Sequence, residues 1–228
     1  MTIWMAELLH SSWAFSVSVR SCLESLSLSQ KMLPKLLSSL LWLRQKLLAE
    51  VQGDVLEVAA GSLLNAQYYS KGGKVKSITF LEPSREMLLA GKDRLDSLQA
   101  VWPVKVVAAS IEEGLGRGGI LHGHTFDTVF ETYSLCVLSQ SEVEAAISLM
   151  AACSRRRLLI LDHTLSPNPL ISAYQVATAP VVGKLSKGCR GDLDVDELIS
   201  YVQRTRTFRS VSVQRYIYGT IALIAFEF

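Results

Sequence analysis

The chain has 228 residues, of which 49% are hydrophobic and 19% are charged, and its formal net charge is +2 at pH 7. That length suits one α/β domain with an appendage, and the apolar fraction is enough for a sizeable core. The small net charge gives no general case for a nucleic-acid-binding domain, which usually carries a marked basic excess, although it does not exclude one.

Residues 1–50 differ in character from the rest of the chain. Residues 1–31 are rich in serine, as mitochondrial transit peptides are, but they carry acids and little arginine. No uncharged apolar run in the sequence approaches the ~18 residues that a membrane-spanning helix needs. Within 31–50 the leucines recur on one helical face and predict an amphipathic helix. This extension either packs on the domain or acts as a lid or a docking helix for a protein partner or a membrane surface.

From residue 51 onward, segments typical of strands alternate with segments typical of helices. The predicted strands span 54–60, 75–82, 104–110, 126–131 and 157–163, and the predicted helices run from Gly61 through Tyr68, over 84–98 and over 141–153. Near-continuous Val, Ile and Leu strands favour a parallel sheet buried on both faces. SVSVQRYIY and TIALIAFEF flank Gly219 and predict a closing antiparallel hairpin. Residues 51–228 are therefore predicted to form a Rossmann-like, doubly wound, mostly parallel seven-stranded sheet of the α/β class.

Some segments carry weaker signals. The triplet of Arg155, Arg156 and Arg157 is typical of a solvated turn, with contact to phosphate or lipid as the alternative. The four cysteines form no C-x-x-C pair and the four histidines form no H-E-x-x-H, so we expect neither a disulfide framework nor a bound metal. Cys136 is interpreted as a small buried hydrophobe rather than a nucleophile.

The turn after the first predicted strand is the natural ligand site, because doubly wound sheets bind ligands beyond the carboxyl ends of their strands. Its sequence, AAGSLL over 59–64, lacks the G-x-G-x-x-G of dinucleotide sites, which makes a dehydrogenase a distant alternative. S-adenosylmethionine (SAM) has an ammonium group that Glu57 could meet and a ribose diol that Glu82 could bind at the end of the second strand. Either acid alone is as often an exposed rim residue, so the interpretation depends on the pair.

Several ordered stretches carry a family resemblance: GSLLNAQYY, FLEPSREML, FDTVFETYSLCVL, KGCRGDLD and YGTIALIAFEF. With them the chain, from about residue 51 to 228, resembles the class I SAM-dependent methyltransferases. More narrowly, it resembles the group that contains OMS-type mitochondrial proteins and METTL-type thiol methyltransferases. It departs from that group where Leu63 replaces a glycine and Leu64 an arginine. Arg190 and Gly191 also stand in place of tryptophans.

The resemblance implies a transferase that uses SAM to methylate a small or lipophilic acceptor. The cofactor-binding residues that it implies are Glu57, Ala59, Gly61, Ser62, Asn65, Glu82, Pro83, Met87, Ser110, Ile111 and Glu131. The implied catalytic residues are Glu131, Thr132 and His163, with Asp162 as a further candidate base. It also implies a mitochondrial location, with the cytoplasm as the alternative. Because of the two leucines, a catalytically inactive scaffold or assembly factor within a larger complex stays open as the alternative function.

Overall fold

The structure is a computed structural model, and it describes residues 29–70, 73–185 and 188–228. Residues 1–28, which make up most of the serine-rich segment compared above with transit peptides, lie outside the described residues. The structure therefore describes the domain and the helix that precedes it, except for the short gaps named above.

The described residues form a seven-stranded sheet with the order β3-β2-β1-β4-β5-β7-β6. The strands are β1 (Gly53–Val58), β2 (Val75–Leu81), β3 (Val104–Val107), β4 (Phe126–Thr132), β5 (Ser154–His163), β6 (Ser210–Tyr216) and β7 (Ile221–Glu227). The first five strands are parallel, and β7 runs antiparallel to both β5 and β6. The predicted fold class is confirmed, including the closing hairpin. The strand order reverses between β1 and β4, which is where such sheets bind ligands.

The helices are α1 (Ser29–Leu48), α2 (Arg85–Ala90), α3 (Lys92–Gln99), α4 (Ile111–Leu115), α5 (Gln140–Cys153), α6 (Pro169–Leu185) and α7 (Val195–Thr205). The single helix predicted over 84–98 is divided at Gly91. A Cβ atom at Gly91 would lie 2.7 Å from the carbonyl oxygen of Ser62, so the chain passes very close to the turn after β1 at this point. The helix predicted from Gly61 is instead a short 3₁₀ helix, Leu64–Tyr68.

The apolar side chains form a core on each face of the sheet. One core contains α5 and α7, and the other contains α1. Leu43 and Leu47 of α1 are fully buried and belong to the same core as Val55 and Phe80. The division of the chain into an extension, 1–50, and a domain, 51–228, stays a prediction. In the structure, α1 packs directly on the domain that it precedes. Among the described helices, none has the length and hydropathy that crossing a bilayer requires.

The arginine triplet lies inside β5 rather than in a turn, so the solvated-turn interpretation is wrong. Arg155 pairs with Asp54 at 3.0 Å and with Asp127 at 3.2 Å. Arg157 contacts Glu227 at 2.8 Å. These pairs join β5 to its neighbours β4 and β7, and across β4 to β1, at the amino edge of the parallel strands.

Candidate functional site

A cavity of about 270 Å³ opens at the carboxyl edge of the parallel strands. It lies among the loops that follow β1, β2, β3 and β4 and the N-terminal half of α5. Its lining residues are Ala59, Leu81, Glu82, Pro83, Ala109, Ser110, Ile111, Glu112, Ser134, Val137, Leu138, Glu142 and Ala146. The structure thus brings five of the predicted cofactor residues into one cavity: Ala59, Glu82, Pro83, Ser110 and Ile111.

Glu82 joins two of the loops that border the cavity. Its Oε2 atom accepts the backbone N–H of Gly61 at 2.7 Å, and its Oε1 atom accepts that of Ser84 at 3.0 Å. The carboxylate therefore fixes the turn after β1 against the turn after β2. A carboxylate can accept about four hydrogen bonds, so both oxygens keep capacity for a ligand.

The turn after β1 has a glycine-like backbone at three positions, of which only one is a glycine. Ala59, Gly61 and Leu63 have φ values of 51°, 56° and 60°. This left-handed region costs L-residues other than glycine roughly 1–2 kcal/mol each. Leu63 is fully buried in the core on the α1 side, and neither it nor Leu64 lines the cavity. Leu63 and Leu64 therefore do not block the cavity.

Met87 and Ser62 lie beside this turn without lining the cavity. A Cβ atom on Gly61 would be 3.5 Å from Cε of Met87, so the methionine side chain covers the outside of the turn. Ser62 is buried, and its carbonyl oxygen accepts a hydrogen bond from Arg94 at 3.0 Å.

Behind the turn lies a buried polar cluster that we call the Arg44 network, formed by Arg44, Glu57, Asn65, Tyr69 and Thr132. Arg44 of α1 donates from Nη1 to Oδ1 of Asn65 and to Oγ1 of Thr132, both at 2.8 Å. Glu57 accepts from Nδ2 of Asn65 at 2.8 Å and from the hydroxyl of Tyr69 at 3.1 Å. The network joins α1, the turn after β1 and the end of β4.

Sequence reasoning missed Arg44, although a signal was present. Arg44 lies one helical turn from Leu40 and Leu48, on the apolar face of α1. A charged residue on a face that packs in a core must find polar partners there. A lone arginine in a leucine stripe is thus a pointer to a buried polar site.

Burial changes the ionisation of this network. It raises the pKa of Glu57 to about 7, opposed by the hydrogen bonds from Asn65 and Tyr69 and by the charge of Arg44. Burial likewise lowers the pKa of Arg44, opposed by nearby Tyr133 and Glu57. Glu57 therefore changes its protonation state near neutral pH.

The end of β4 holds the predicted catalytic residue Glu131. Its Oε2 atom accepts from the backbone N–H of Ser134 at 3.0 Å and from the Ser134 hydroxyl at 2.7 Å. Its Oε1 atom is buried without a hydrogen-bond partner among the described residues. Burial, followed by the charge of Asp162, raises the pKa of Glu131 well above its usual range. Glu131 does not line the cavity, but Ser134, which it holds, does.

The predicted catalytic residue His163 lies at the end of β5 and is buried beside two cysteines. Its Nδ1 atom is 3.4 Å from Sγ of Cys189 and 3.5 Å from Sγ of Cys136. Hydrogen bonds from Cys136 and then from His163 lower the pKa of Cys189 to about 5, against the effect of burial. His163 and Thr132 lie outside the lining of the cavity. The sequence did not reveal this group, because its members lie far apart along the chain.

The chain matches no protein-family model. Among solved structures, it is similar to the apo form of the SAM-dependent methyltransferase SibL, with a TM-score of 0.58, 14% identity and coverage of 79% of this chain and 51% of that chain. It is also similar to an O-methyltransferase family protein from Burkholderia thailandensis, with a TM-score of 0.60, 16% identity and coverage of 88% and 56%. Magnesium protoporphyrin IX methyltransferase (ChlM) from Synechocystis PCC 6803, with bound SAM, gives a TM-score of 0.55, 12% identity and coverage of 83% and 78%. The chain spans about half the length of the first two. At these identities the comparisons establish the architecture, and this chain has the fold of the class I SAM-dependent methyltransferases.

Proposed function

We propose that this protein is a SAM-dependent methyltransferase that acts on a small or lipophilic acceptor. The observation that carries the proposal is the cavity at the carboxyl edge, where Glu82 and the residues after β3 face one space. A carboxylate at the end of β2 suits a ribose diol, which offers two hydroxyl donors. Ser110 and Ile111, after β3, are then the contacts of the adenine.

The Arg44 network has a positioning role in this proposal. Glu57 and Asn65 lie behind the turn, where they hydrogen-bond each other and do not line the cavity. Because Asn65 is also bonded to Arg44, the turn is anchored to α1. The two residues thus hold the turn in the shape that receives the cofactor, rather than supplying most of its direct contacts.

Methyl transfer from SAM requires little acid–base catalysis. Methyl transfer is an in-line displacement at a sulfonium methyl group with a good leaving group, so the protein contributes proximity, alignment and exclusion of water. Val137, Leu138 and Ala146 give one wall of the cavity an apolar surface, which favours a lipophilic acceptor. The narrower likeness to OMS-type and METTL-type proteins, the catalytic roles of Glu131, Thr132 and His163, and the mitochondrial location are parts of this proposal.

Calorimetric titration of the full chain with SAM and with its demethylated product tests the proposal. We expect Glu82→Ala to weaken SAM binding by about 10- to 100-fold, the size of a lost hydrogen bond to a charged group. The matched control is Glu86→Ala, four residues away on the exposed first turn of α2 and outside the cavity. This control is expected to bind SAM as the unmodified protein does.

Failure to bind SAM at millimolar concentration, with a folded chain, would contradict the proposal. That result would favour the alternative, a scaffold or assembly factor that retains the fold without catalysis. An equal loss of affinity in Glu82→Ala and Glu86→Ala would show that binding does not take place in this cavity.

A further inference from the structure

Three side chains that approach from separate parts of the chain converge below the ends of β4 and β5. Cys136 lies in the turn after β4, His163 ends β5, and Cys189 follows α6. Their Sγ, Nδ1 and Sγ atoms all lie within 4.8 Å of one another, and all three residues are buried. None of them lines the proposed cofactor cavity.

We propose that Cys136, His163 and Cys189 form a binding site for a tetrahedral, thiophilic divalent cation of the Zn²⁺ type. This inference goes beyond the proposed methyl transfer and does not depend on it. It also replaces the expectation from sequence spacing that no metal is bound.

The distances fit a tetrahedral ion. With Zn–S bonds of about 2.3 Å and Zn–N bonds of about 2.0–2.1 Å, neighbouring sulfur and nitrogen ligands of a tetrahedral site lie about 3.5 Å apart. The two sulfur–nitrogen distances here are 3.4 and 3.5 Å. Both sulfur–nitrogen spacings therefore already match those that such an ion imposes, and the two sulfur atoms lie within 4.8 Å of each other.

The donor types and the charge select the ion. Thiolate and imidazole ligands favour zinc over Mg²⁺ or Ca²⁺, which prefer oxygen ligands. Two thiolates and a neutral imidazole carry a charge of −2, which a divalent cation neutralises. Neutralisation matters here, because the residues are buried and uncompensated buried charge is costly. Three protein ligands leave the fourth position to water or another small donor.

The surrounding hydrogen bonds hold the ligands in place, as they do around known metal sites. Oδ2 of Asp162 accepts the backbone N–H groups of Leu135 at 2.7 Å and of Cys136 at 3.1 Å. The N–H of Arg190 donates to the carbonyl oxygen of Cys136 at 3.1 Å, which joins the two cysteine-bearing segments. A bound ion would fasten the segment around Cys189 to the sheet.

Metal analysis and cobalt substitution test the site in the full chain, kept reduced and purified free of metal. After addition of ZnCl₂ and gel filtration, we expect inductively coupled plasma mass spectrometry to find one zinc per chain. With CoCl₂ we expect a thiolate-to-cobalt charge-transfer band and the intense visible bands of tetrahedral cobalt. Zinc is also expected to raise the melting temperature, since an ion that binds only the folded state stabilises it.

Cys136→Ser and Cys189→Ser are each expected to lose the charge-transfer band or reduce it to about half. Cys153→Ser is the matched control, because Cys153 is also a buried cysteine but its thiol donates to the carbonyl oxygen of Met150. Circular dichroism of each variant shows whether it is folded, and the titration of the unmodified chain tests the site even if a variant does not fold. The proposal is overturned if the unmodified chain binds no stoichiometric zinc, if Cys136→Ser keeps the full cobalt spectrum, or if Cys136 and Cys189 form a disulfide while no metal binds.

Discussion

The two edges of the parallel sheet differ in how their polar groups are held. At the amino edge, Asp54 and Arg155 form an ion pair with both side chains more than 40% exposed. At the carboxyl edge, Glu57, Glu131 and Asp162 are buried, and burial raises the pKa of each. The first edge uses charges that water already stabilises, whereas the second keeps polar groups away from water.

The backbone shows the same contrast. Among the described residues, the non-glycine residues with positive φ are Ala59, Leu63, Tyr133, Ile217 and Tyr218. All five lie at the carboxyl edge, in the loops after β1 and β4 and in the turn between β6 and β7. Strained backbone and buried polar groups persist only where the surrounding structure holds them in place. They concentrate at functional sites. The contrast therefore shows that the carboxyl edge combines buried polar groups with strained backbone, as functional sites do, whereas the Asp54–Arg155 pair at the amino edge is exposed.

The largest expected effect is the difference in the free energy of unfolding between variants of two arginines, Arg44 and Arg155. Arg44→Met removes a buried guanidinium, leaves Oδ1 of Asn65 without its donor and takes one of two donors from Thr132, so we expect a loss of about 3–5 kcal/mol in the free energy of unfolding. Arg155→Met, at the amino edge, removes the ion pairs of a 44% exposed side chain with Asp54 and Asp127 and is expected to cost about 1 kcal/mol or less. Urea denaturation followed by circular dichroism measures both. Equal losses would remove the energetic distinction between the edges.

An intermediate effect concerns the pH dependence of stability. The pKa of Glu57 rises from 4.5 to about 7 on folding, so the folded state binds more protons between these values. The stability that Glu57 contributes is therefore complete below pH 4.5 and is lost as the pH rises through about 7. We expect Glu57→Gln to remove this decline and to gain about 3 kcal/mol at pH 8 relative to pH 4.5, compared with the unmodified chain.

The control for this prediction is Asp54→Asn at the amino edge. A hydrogen bond from Ser77, followed by Arg155, lowers the pKa of Asp54, so its contribution to stability has the opposite sign and is lost as the pH falls. Unfolding free energies measured from below pH 3.8 up to pH 8 distinguish the two slopes, because Asp54 acts at the acidic end and Glu57 between pH 4.5 and about 7. A Glu57→Gln variant with an unchanged pH profile would show that Glu57 titrates normally.

The smallest expected effect comes from the strained turn. Ala59→Gly removes a Cβ atom at φ 51°, and we expect it to stabilise the fold by about 1 kcal/mol. Ala145→Gly, inside α5, is expected to destabilise it by about 0.5–1 kcal/mol, because a helix interior favours alanine. Thermal denaturation of both variants gives the signs. A loss of stability in Ala59→Gly would indicate that Ala59 is not strained.

The sheet could be predicted from the sequence because its strands carry their own signal. Buried parallel strands are near-continuous apolar runs, and the Gly219 turn marks the closing hairpin. The break at Gly91 could not be predicted, since it depends on the approach of Ser62 from another part of the chain. Local patterns determine the elements, and contacts between elements determine where they stop.

The same division applies to the candidate site. Ala59, Glu82 and Ser110 were identifiable because each follows a predicted strand, and the carboxyl ends of parallel strands meet at one edge. Arg44 and the cysteine–histidine group were not identified, because their partners are distant in sequence. Arg44 is 88 residues from Thr132, and Cys136 and Cys189 are 27 and 26 residues from His163. No local spacing motif reports such pairs.

The position of α1 has a consequence for the order in which the chain assembles. Arg44 requires Thr132, and the ammonium group of Lys46 donates to Gln214 and Tyr216, 168 and 170 residues further along. During synthesis, this helix leaves the ribosome long before β6 exists, so its full set of contacts forms only after β6 has been made. The ammonium group of Lys46 therefore couples α1 to β6, whereas the buried guanidinium of Arg44 couples it to the end of β4, so the turn after β1 reaches its final support only after β4 has been made.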